Sequence, residues 1–142
     1  MAKKAKKCPH EKPGYHFLHV FYALSLVYGL VGIADALILT DNFTYIWSMF
    51  NAFYALAIFV LSIVAMSVFV KAKLPPITWV LPIYHLVFFI VLIVTSVFLL
   101  FLSYKRGILI DQVTLPKMLW IGMVSSVFEV IYSTYILFRY RK

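Results

Sequence analysis

Two residues in this 142-residue chain have types and settings that could carry chemistry: a glutamate, Glu129, and a histidine, His85, each inside a long apolar run. A carboxyl and an imidazole can share a proton, and an ionised side chain held in hydrocarbon costs several kcal/mol, so each needs a reason to be there. At about 1.5 Å per helical residue, Glu129 lies about 15 Å and His85 about 12 Å from the same end of their runs. The matched depth predicts a His85–Glu129 hydrogen-bonded pair if the two runs pack side by side. Asp35 sits about 7 Å from the opposite end of the first run, at a depth where Asn51 and Ser48 of the second run could bond to it across a short hairpin.

A third group, Cys8, His10, His16 and His19, reads C-x-H-x5-H-x2-H. All four side chains can bind zinc or copper. Their spacing matches no standard zinc module, however, and Pro9, Pro13 and Gly14 make the segment irregular, so ordinary histidines of an interfacial tail are the main expectation. Nucleophile-elbow, zinc-protease, phosphate-loop and paired-carboxylate patterns are missing from the sequence. Haem held by two facing helices needs two deep histidines, and only His85 is deep. No cofactor and no catalytic activity are expected.

The elements that position these residues follow from composition. Hydrophobic residues make up 64% of the chain and charged ones 13%, with mean hydropathy +0.96; a soluble domain runs about 45–50% apolar and about 25% charged. A chain this small could not hide so much apolar surface from water, which excludes a soluble globular domain. Disorder is excluded by the same apolar excess, and a disulfide scaffold by the single cysteine. The expected fold is all-α: a polytopic membrane protein of four transmembrane helices in an up-down bundle. Four runs reach the roughly 20 apolar residues a span requires, at about 17–39, 44–70, 77–104 and 118–138, with a basic tail over 1–16 and another over 139–142. The runs are continuous rather than alternating, which argues against a β-barrel. The Pro75-Pro76 pair stops helix after the second run, and Pro82, which frees the carbonyl of Thr78, is expected to kink the third or to mark where it enters the membrane.

Basic residues orient the bundle. Ten lie on the side of the termini and the loop between the second and third runs: Lys3, Lys4, Lys6, Lys7, Lys12, Lys71, Lys73, Arg139, Arg141 and Lys142. Lys105, Arg106 and Lys117 lie on the other side. This bias places both termini in the cytoplasm. The basic start and first run also resemble a signal peptide with Ala34-Asp35-Ala36 at its end, but the run is too long for a cleaved one, so an uncleaved signal anchor is expected. Lys3, Lys4, Lys6, Lys7, Arg139 and Arg141 are expected to meet anionic headgroups or partner surfaces, and nucleic acid is not an expected partner.

Association of spans relies on close packing and interhelical hydrogen bonds, because lipid solvates leucine as well as a neighbouring helix does. Ser25, Gly29, Gly32 and Ala36 form a small-residue stripe on the first run. Ser48, Ala52, Ala55 and Ser62 do a similar job on the second, and Gly122, Ser125, Ser126, Glu129 and Ser133 on the fourth. The third run lacks such a stripe over most of its length and is expected to face lipid or a partner subunit. With so few polar groups at depth, the expected function is a non-catalytic accessory or structural subunit of a larger integral membrane complex, packed on partner subunits and lipid. Two alternatives remain. One is a small homo-oligomeric transporter or channel for protons or cations using Glu129 with His85; the other is a metal-handling or redox protein using Cys8, His10, His16 and His19.

Overall fold

The computed structural model describes residues 13–37, 44–106 and 114–141. They form helices α1 (Pro13–Leu37), α2 (Thr44–Lys71), α3 (Val80–Arg106) and α4 (Thr114–Arg139), with a 3₁₀ turn (Pro76–Trp79) leading into α3 and no strand among the described residues. All four helices contain segments long and apolar enough to cross a membrane. α1 and α4 each begin four residues before the apolar runs do. Pro116 is no barrier to the earlier start of α4, because a proline in a first helical turn removes an N–H that has no intrahelical acceptor.

The end of α2 has a specific stop signal. Lys73 adopts a left-handed φ of 52°. Its N–H donates to Val70 O at 3.1 Å, and Leu74 N–H donates to Phe69 O at 3.0 Å. These paired bonds, with Leu74 and Phe69 both buried in one cluster, make a Schellman cap. Pro75 then holds extended backbone (φ −58°, ψ 145°). Pro82 falls in the first turn of α3, after the 3₁₀ turn, so it serves as the entry proline rather than as a kink inside the span.

α1 packs mainly on α4 and also on α2; α2 packs on α3; α3 and α4 meet only sparsely. The small-residue stripe of α1 explains its closeness to α4. A Cβ at Gly29 would lie 2.8 Å from Val130 Cγ2 and 3.0 Å from Ser126 O, and one at Gly32 would collide with the Ser126 side chain. At Gly122 a Cβ meets nothing within 4 Å among the described residues. It lies farther along α4, away from the close approach at Ser126 and Val130.

The buried cluster Leu18, Phe21, Tyr22, Ala65, Phe69, Leu74, Leu81 and Ile136 gathers at one end of the molecule. There α1 and α3 start and α2 and α4 finish; we call this the proximal end. Over the remaining length α3 is the least covered of the four spans, although Phe89 stacks on Phe59 of α2 with ring centroids 4.4 Å apart. Only 6% of its spanning window is buried, against 28% for α1, and the consecutive residues Ile90, Val91, Leu92, Ile93 and Val94 are all exposed.

Candidate functional site: a buried His–Glu pair

His85 sits at the second turn of α3, where it can reach every other helix. Its Nε2 shares a short hydrogen bond with Glu129 Oε1 of α4. Nδ1 lies 3.2 Å from Ser62 Oγ of α2. Phe21 and Tyr28 of α1 approach the ring at centroid distances of 6.0 and 6.2 Å, and Tyr84 at 5.9 Å. His85 and Glu129 are 5% and 2% exposed, and Ser62 is fully buried.

The hydrogen-bond directions are constrained. Ser62 donates its single hydroxyl proton to Ile58 O at 2.7 Å, a carbonyl that can only accept. Its oxygen therefore accepts from His85, so Nδ1 carries a proton. The Nε2–Oε1 bond needs one further proton between its atoms. Whether imidazolium faces carboxylate or imidazole faces carboxylic acid, the pair has no net charge, which suits a low-dielectric interior. The arrangement can hold one proton at a bond between α3 and α4, with Ser62 fixing the ring from α2.

Further polar contacts surround this centre. Tyr84 O–H and Ser125 Oγ form a second short bond from α3 to α4. Tyr22 O–H donates to Thr78 O at 2.9 Å, supplying a partner for the carbonyl that Pro82 leaves without an i+4 N–H. Tyr132 O–H donates to Ile77 O at 2.7 Å, and Tyr54 O–H donates to Leu24 O at 3.2 Å. Ser25 Oγ and Ser133 Oγ are buried without a partner among the described residues. Ser133 lies one turn after Glu129 on the same helix.

The structure thus brings His85 and Glu129 together and adds Ser62, which the sequence reading treated as packing. The missed signal was depth: Ser62 lies nine residues before Lys71, level with the histidine. The side chains of Asp35, Ala36 and Asn51 lie outside the described residues, as do Cys8, His10, Lys3, Lys4, Lys6 and Lys7. His16 is exposed. His19 Nε2 lies 2.9 Å from Tyr140 O, and its other ring nitrogen faces Tyr15 O at 2.6 Å, so it ties the start of α1 to the end of α4. Among the described residues no group of three metal-ligand side chains gathers. Arg139 bonds Tyr135 O–H and lies over its ring, 5.8 Å from the centroid, and Arg141 is exposed. Compared with models of protein families, with curated proteins and with solved structures, the chain matches none.

Proposed function

We propose that this chain is a non-catalytic subunit of a larger integral membrane assembly, an up-down bundle of four spans with both termini in the cytoplasm. One observation carries the reading: the packing is uneven among the spans, with 28% of the spanning window of α1 buried against 6% for α3. The deep ionisable pair and the buried cluster are spent inside the proximal end, on each other and on neighbouring helices. Beyond its contact with α2, where Phe89 stacks on Phe59, most described residues of α3 are apolar and exposed. A span with so little of its surface covered leaves apolar helix for other membrane-embedded chains or lipid, and interhelical hydrogen bonds supply the rigidity that lipid solvation does not. The test is purification in mild detergent with mass spectrometry. Other integral membrane chains at fixed stoichiometry are expected, and elution as a monomer or homo-oligomer would overturn the reading.

A second reading is favoured by a separate observation, the buried hydrogen bond between His85 Nε2 and Glu129 Oε1. In a homo-oligomer this pair would be the proton- or cation-binding element of a small transporter. Proteoliposome flux lost on Glu129→Gln, with elution and helicity unchanged, would carry that reading in place of the first.

A further inference from the structure

The exposed part of α3 carries an open apolar groove of about 430 Å³ lined by Ile93, Val94, Val97, Phe98 and Phe101. Its position matters more than its size. The segment 93–101 covers about 12 Å of helix, and Lys105 lies about 6 Å further along. One leaflet of a hydrocarbon core about 30 Å thick is about 15 Å deep. The groove is therefore about as long as one lipid tail is deep, and the cation stands where a headgroup phosphate would. Lys105 Nζ lies 5.2 Å from the centre of the Phe101 ring, so the ammonium sits beside the last residue of the groove rather than pointing away from it. Lys105 is exposed and forms no ion pair among the described residues. The one acidic side chain described, Glu129, is taken by His85 at the proximal end.

We propose that this face of α3 is a binding site for one anionic glycerophospholipid, with an acyl chain along 93–101 and the phosphate at Lys105. The inference does not depend on the subunit reading; it needs only that α3 spans a membrane. The occupant follows from complementarity. Lining that is apolar throughout offers nothing to a free phosphate or a polar peptide, and Lys105, the cation described at the interfacial end, selects for charge at one end of an apolar ligand.

The full chain is reconstituted in phosphatidylcholine vesicles containing a trace of photoactivatable phosphatidylglycerol or of photoactivatable phosphatidylcholine, each with the reactive group on an acyl chain. Adducts are mapped by mass spectrometry. The phosphatidylglycerol probe is expected to label 93–101 about fivefold more than the phosphatidylcholine probe, the preference one basic side chain near the surface supplies. Lys105→Gln is expected to bring the ratio to about one, Lys105→Arg to keep it, and Val97→Trp, which fills the groove, to lower labelling by both probes. Helicity and elution volume matching the parent, and rescue by arginine, separate loss of the site from loss of the fold. Equal labelling by the two probes, a ratio unmoved by Lys105→Gln, or cross-linking of 93–101 to a second copy or another protein in place of lipid overturns the proposal.

Discussion

Glu129 can stay at membrane depth because His85 cancels its charge locally, and His85 can stay because Ser62 and Glu129 use both ring nitrogens. Removing one partner leaves the other unsatisfied in a medium without water, whereas removing both removes the demand. A double-mutant cycle with His85→Leu and Glu129→Leu, read by unfolding in mixed detergent micelles, is therefore expected to give a favourable coupling of about 1–2 kcal/mol, at the upper end for interhelical hydrogen bonds in membranes. Glu129→Gln should cost less than Glu129→Leu, since an amide can still donate to the ring. Additive single variants would show that the pair does not hold α3 to α4.

The contact between α1 and α4 rests on the missing side chain of Gly29. A methyl group there meets Val130 and backbone atoms of α4 at 2.8–3.2 Å, and backbone gives way less readily than a side-chain tip. Gly29→Ala is expected to destabilise by about 1–3 kcal/mol, the usual cost of overpacking. Gly122→Ala, which meets nothing within 4 Å among the described residues, is expected to be neutral or mildly stabilising because alanine favours helix. The same unfolding assay compares the two, and equal effects would mean that this interface is looser than described. At the end of α2, Lys73 carries a left-handed conformation costly for any residue with a Cβ. Lys73→Gly is expected to stabilise by about 0.5–1 kcal/mol, read as a higher midpoint in thermal unfolding in detergent.

For the molecule as a whole, the proposed orientation, with both termini in the cytoplasm, rests on the bias of basic residues. The single cysteine, Cys8, makes this easy to check. A membrane-impermeant maleimide is expected to leave Cys8 unlabelled in intact cells and to label it after permeabilisation. Labelling in intact cells would reverse the proposed orientation. The low coverage of α3 among the described residues points the same way as the subunit reading, because a chain meant to stand alone as a four-helix pore would need α3 closed against its neighbours.

Much of this was legible in the residues. Hydropathy depends on composition along a run, so the four spans, their approximate limits and the near-equal depths of His85 and Glu129 need no knowledge of neighbours. The close approach at Gly29 and Gly32 was legible too, because small residues three and four apart share one helix face whatever packs there. The rotation of each helix about its axis and the order of helices around the bundle were not. Helices that are apolar all round carry no stripe to say which face turns inward. Only the tertiary structure decided that Ser62 completes the pair, that α1 rather than α3 is the main partner of α4, and that Pro82 marks the entry of α3. Each of these is set by where one helix surface meets another, which spacing within a single run does not record.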